Sequence, residues 1–229
     1  MRTDTQTVTR TTSLDRYARR GLWALPIWSV LVFYGTFTHQ PPYKTDFPAW
    51  ARFVTTTEFL ASHLVASIVG AGVGVLGFVA LSVVLVERAA PRLALWGLVT
   101  TVLGTTLTTS VFGIAAFAQP AIGRSFLGGD SHMPAHYDDV NGIPLLATAA
   151  AGVLLLSAGL IGYGIAVART GLASRFAGLS LAIGGPLFSV VGVILGNYVQ
   201  SVGVALVVVG TVWIAWRPGQ PVTAPLGRP

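Results

Sequence analysis

The strongest constraint on this chain is a succession of long apolar runs with almost no charge inside them. A helix rising about 1.5 Å per residue needs roughly twenty such residues to cross a hydrocarbon layer of about 30 Å. Soluble helices alternate apolar and polar faces instead. Composition agrees: 53% of residues are hydrophobic and 10% charged, with a mean hydropathy of +0.71. A soluble domain carries roughly a quarter charged residues. The chain reads as an all-α integral membrane protein, a bundle of about six transmembrane helices.

The runs place helices near residues 21–38, 58–86, 93–118, 143–168, 176–195 and 198–216. The stretch 176–216 is too long for one crossing, and Gly196, Asn197, Tyr198 and Gln200 interrupt it, so a tight turn is expected there. Outer loops are expected at 39–57 and 119–142, and disordered polar tails at 1–20 and 218–229. The first run follows basic residues, as a signal peptide would, but Phe-Thr-His-Gln-Pro-Pro follows it where a small-x-small cleavage site belongs. A retained helix is expected.

Arginine sets the orientation. With the N-terminus inside, the cytoplasmic segments hold Arg2, Arg10, Arg16, Arg19, Arg20, Arg88, Arg92, Arg169, Arg175, Arg217 and Arg228. The outer segments hold Lys44, Arg52 and Arg124. Positive residues favour the cytoplasm, so both termini are expected there, in a multi-pass protein of the cell membrane.

Small residues mark expected helix seams. Ser62, Ala66, Gly70 and Gly74 recur every four residues, as do Ala150, Ala158, Gly162 and Ala166 with one gap. Such stripes let backbones approach where lipid supplies no hydrophobic drive. Pro186 should distort its helix, because its missing amide frees a carbonyl. Thr101, Thr105 and Thr108 share a face that suits either interhelical bonding or a polar groove. The tryptophans, mostly near helix ends, suit an interfacial belt.

Several chemistries are excluded. There is no cysteine, so thiolate metal sites, disulfides and thiol redox chemistry are absent. The single lysine, Lys44, lies outside the helices, and no Walker A or HExxH pattern occurs. Asp138-Asp139 is followed by Val-Asn-Gly and does not form a DDxxD run. The net charge of +6 comes from scattered arginines rather than a basic stripe, so no nucleic-acid partner is expected.

What remains is a polar cluster at the outer face. All four histidines (His39, His63, His132, His136) fall there, with five of the eight acids: Asp46, Glu58, Asp130, Asp138 and Asp139. His63 stands one to two turns inside its helix, a depth at which ionisable groups usually face the bundle interior. It is the candidate ligand or base, against the plainer role of a packing hydrogen bond. Glu58 precedes it by about 500° of helical rotation, so the two do not share a face closely. Glu58 is a candidate acid, or simply a carboxylate at a helix N-terminus.

In the long outer segment, Ser131 could cap a short helix with Pro134 in its first turn. His132 and His136 would then stand on one face at chelating spacing, with Asp139 as a third ligand. His63, His132, His136 and Asp139 are therefore the candidate metal set, and a transition metal or haem the candidate cofactor. The function expected is a membrane-embedded enzyme or redox subunit acting on a lipophilic substrate, with Glu58 and His63 catalytic. The alternatives are a non-catalytic subunit of a larger membrane complex and a small-solute transporter. Expected partners are membrane lipids, a lipophilic substrate and other membrane subunits or further copies of the chain.

Overall fold

The computed structural model describes residues 13–37 and 40–216. The disorder expected for residues 1–12 and 218–229 falls outside the described residues. Among the described residues every regular element is helical. They are α1 (Ser13–Gly21), α2 (Ala24–Gly35), α3 (Phe47–Val54), α4 (Thr57–Glu87), α5 (Pro91–Leu127), α6 (Met133–Val140), α7 (Ile143–Thr170), α8 (Arg175–Leu195) and α9 (Asn197–Trp216). Five of these, α4, α5, α7, α8 and α9, are long and apolar enough to cross a membrane.

The first apolar run differs from expectation. It does not form one helix over 21–38 but breaks at Leu22-Trp23, and α2 is only 12 residues long. At about 1.5 Å per residue that is roughly 18 Å, short of a full hydrocarbon layer. Pro26 explains the break: in a continuous helix its ring would collide with the carbonyl four residues back, at Leu22. Residues 13–20, expected within a disordered tail, belong to α1.

The third helix differs in the other direction. Gln119-Pro120 reads as a stop, yet α5 runs through Pro120 for 37 residues, roughly 55 Å. Packing overrides the local signal. α3 lies against this last stretch, so closely that a Cβ on Gly123 would stand 2.8 Å from Val54 Cγ2 and 2.9 Å from the Ala51 carbonyl. The expected loop 119–142 therefore shrinks to short links around α6.

Six elements pack in chain order as a ring: α2 on α4, α4 on α5, α5 on α7, α7 on α8, α8 on α9, and α9 back on α2. The closing contact carries two hydroxyl pairs, Ser29–Thr211 at 2.9 Å and Thr36–Ser201 at 2.8 Å. Such bonds between membrane helices contribute about 0.6 kcal/mol each. Tyr163 ties α7 to α4 through Ser82 at 2.6 Å and the Phe78 carbonyl at 3.1 Å.

The small-residue seams are half as expected. Ser62, Ala66, Gly70 and Gly74 are buried, with Trp28 of α2 lying on Gly74. On α7, however, Ala150 and Ala158 are exposed and Gly162 is only partly buried. The buried face there runs through Gly152, Leu156, Gly159 and Tyr163 instead. A stripe every four residues drifts off a face that follows 3.6 residues per turn, so Ala158 turns outward where Gly159 turns in. The belt reading also fails for two tryptophans: Trp28 and Trp50 are core residues, 4% and 0% exposed.

Candidate intramembrane site

α3 and α6 sit at one end of the ring and build a separate aromatic cluster there. Trp50 is its centre, with Phe47 and Tyr137 ring centroids each 4.7 Å away. Asp46 caps α3 by accepting the Ala49 N–H at 2.9 Å. α6 starts differently from expectation: His132, not Ser131, occupies the cap position, and Asp130 accepts the His132 N–H at 3.0 Å. Burial pushes the Tyr137 hydroxyl up to about 12, with Tyr43 and Asp138 adding to the effect. The acids at this end act as caps or face solvent.

Below this cluster, within the ring, lies a cavity of about 170 Å³. All six ring elements contribute to its wall, including Trp28 and Thr36, Ser62 and His63, Thr105 and Thr108, Leu156, Ser189, and Gln200. An engineered cavity of roughly 150 Å³ in another protein holds one benzene molecule. The volume is thus that of a single six-membered ring with a small substituent.

Two segments of the wall are π-helical: Ser62–Val69 in α4 and Leu187–Val191 in α8. The first has a readable cause. The Phe59 carbonyl receives the Ser62 hydroxyl at 2.9 Å and His63 Nδ1 at 2.9 Å. Side-chain donors occupy the acceptor that the backbone ladder would use, and the ladder widens. Ser67 Oγ then donates to the Ser62 carbonyl, five residues back, at 3.2 Å. The second π segment follows directly on Pro186, whose missing N–H interrupts the ladder as the sequence implies. There Ser189 donates to the Gly185 carbonyl at 2.8 Å and pairs with Ser157 at 2.6 Å.

His63 lies over Phe59, ring centroids 4.1 Å apart, and edges toward Phe112 at 6.2 Å. Nδ1 also stands 3.0 Å from Ser62 Oγ. In the tautomer that donates Nδ1–H to the Phe59 carbonyl, which can only accept, Nε2 keeps its lone pair. Of the described residues around the cavity, His63 alone is titratable.

The expected site residues are therefore not gathered. His63 faces the cavity, whereas Glu58 is exposed in the first turn of α4 and takes no part in the wall. His132, His136 and Asp139 are exposed on or beside α6. Among the described residues no three His, Asp or Glu side chains converge as a metal-holding group. His39 lies outside the described residues.

The threonine face does reach the cavity, at Thr105, Thr108 and Thr109, while Thr101 packs on Gly159 and donates to the Gly97 carbonyl at 2.6 Å. Sequence reasoning missed Trp28, Thr36, Ser67, Ser189 and Gln200. Pro186 was the one available signal, pointing to the distorted turn that presents Ser189.

No family model matches the chain, and neither the curated proteins nor the solved structures give a match.

Proposed function

We propose that this is a multi-pass membrane protein whose working centre is the cavity inside the helix ring, and that it binds there one small, uncharged, partly apolar molecule. The carrying observation is the wall itself: Trp28, Phe112 and Phe188 beside Ser, Thr and His groups, with no carboxylate, Arg or Lys among the described lining residues. Pockets for small molecules combine apolar surface with a few placed polar groups in this way. A ligand reaching such a site from the bilayer is lipophilic.

The proposal keeps α2 as a sixth, short crossing and both termini in the cytoplasm, which the distribution of arginine supports. The cavity then lies in the outer half of the membrane, beneath the α3–α6 cluster.

The metal or haem reading finds no donor set here. Among the described residues of the wall a single imidazole stands without a carboxylate, a poor start for a three- or four-ligand site. An acid–base reaction on the bound molecule would run through His63, the one described side chain of the wall able to take up a proton.

The test is saturable ligand stabilisation, since a molecule that binds the folded state raises its melting temperature. Toluene should raise the Tm of the purified chain and should not raise that of Ala71→Leu, which fills the cavity, or of Val153→Phe, which fills it from α7. Equal responses in all three proteins would place toluene elsewhere and remove the reading.

A further inference from the structure

The hydrogens around the cavity are unevenly committed. The hydroxyls of Thr36, Ser62, Ser67, Thr108 and Ser189 each have a main-chain carbonyl of their own helix to donate to, at 2.8 to 3.2 Å. Each hydroxyl has one hydrogen. With it turned to the backbone, the oxygen shows the cavity only lone pairs. His63 adds another acceptor in the tautomer that donates Nδ1–H to the Phe59 carbonyl, since Nε2 then keeps its lone pair.

Free donors come from fewer groups, the hydroxyls of Thr105 and Thr109 and the amide of Gln200. The wall therefore offers an excess of acceptors in an apolar surround. A guest that only accepts, such as an ether or aldehyde, gains nothing from these acceptors, whereas an O–H donor adds a hydrogen bond.

We infer that the cavity selects a hydroxyl-bearing molecule, a single-ring phenol or cyclic alcohol, whose O–H donates to His63 Nε2. The same oxygen has lone pairs for Thr or Gln200 donors, and the ring lies among Trp28, Phe112 and Phe188. This inference rests on the proposed intramembrane site and assigns the class of molecule that site takes.

Phenol, toluene and anisole separate the possibilities, being a donor, a nearly isosteric hydrocarbon and an acceptor-only ether. Their dissociation constants are read from the saturable Tm shift of the full-length protein in detergent, after correction for partition into micelles. Phenol should bind roughly three- to tenfold tighter than toluene, the range expected of one net hydrogen bond, and anisole no tighter than toluene. In His63→Leu the advantage of phenol should vanish while toluene still binds.

Toluene binding as tightly as phenol would overturn the inference and leave the site standing, as would an unchanged phenol preference in His63→Leu. Should His63→Leu fail to fold, the wild-type comparison decides alone. Saturable binding of none of the three would overturn the site itself, and the inference with it.

Discussion

The Phe59 carbonyl oxygen lies 2.9 Å from His63 Nδ1 while the Phe59 ring lies beneath the imidazole, so one residue holds the other through both its backbone and its ring. Phe59 also belongs to the aromatic cluster at the α3–α6 end, and is fully buried there. The cavity and the cluster thus share a residue. Changes in the cluster should be felt at His63.

Removing the imidazole tests its structural share. His63→Ala deletes a side-chain donor to Phe59 and a stacked ring, and should lower stability by about 1 to 2 kcal/mol. Thermal unfolding in detergent measures it. His63→Asn, which restores a donor without the ring, should recover part of the loss.

The α5–α7 seam should be intolerant where the backbones meet. A Cβ at Gly159 would fall 2.8 Å from Thr100 Oγ1 and 2.8 Å from the Thr101 amide nitrogen. Gly159→Val should cost about 1 to 3 kcal/mol, the range for overpacking. Gly72 has open space around its Cβ position, so Gly72→Ala should be neutral or stabilising by up to about 1 kcal/mol. Paired melting curves decide.

Stability should fall in strong base on account of Tyr137. Its folded-state value is pushed up to about 12 from an ordinary 10.0. Below the ordinary value both states keep the proton and the full contribution is present. Between the two values the unfolded chain releases its proton while the folded one holds it, so stability is lost as pH rises. Tyr137→Phe should flatten that decline and remove a late phenolate from the ultraviolet titration; an unchanged slope would reject the assignment.

Sidedness can be read cleanly because the chain has no cysteine of its own. In intact cells His136→Cys should react with a membrane-impermeant maleimide, and Arg92→Cys only after permeabilisation. Both positions are exposed. The reverse pattern would invert the proposed orientation.

Much of the scaffold was legible beforehand. The helices at 143–170 and 197–216 fall within two residues of the runs that announce them, since an apolar run of bilayer length has few other ways to satisfy its backbone. The turn between α8 and α9 was legible too, and Gly196 makes it with a φ of +105°, a region that glycine enters freely. The continuation of α5 past Pro120 was not, because it rests on tertiary contacts such as α3 packing on Gly123 and Phe47 on Phe126.

The site was much less legible. Histidines and acids expected at the same membrane face suggested one centre, but α6 faces its pair outward while His63 turns into the ring. Depth in the apolar run singled out His63, since a polar group there must face the interior. Its companions are serines and threonines on its own helix and on three others, α2, α5 and α8, which no local pattern distinguishes from ordinary helix hydroxyls.

By itself, then, the sequence determined that these helices belong in a membrane, because burial in lipid depends on the local sum of side-chain hydrophobicity. Only the tertiary structure decided that α2 closes the ring against α9, and which hydroxyls surround the cavity. Those outcomes depend on contacts between residues far apart in the chain, such as Ser29 with Thr211, and on a carbonyl at Phe59 whose hydrogen bonds reset the helix around it.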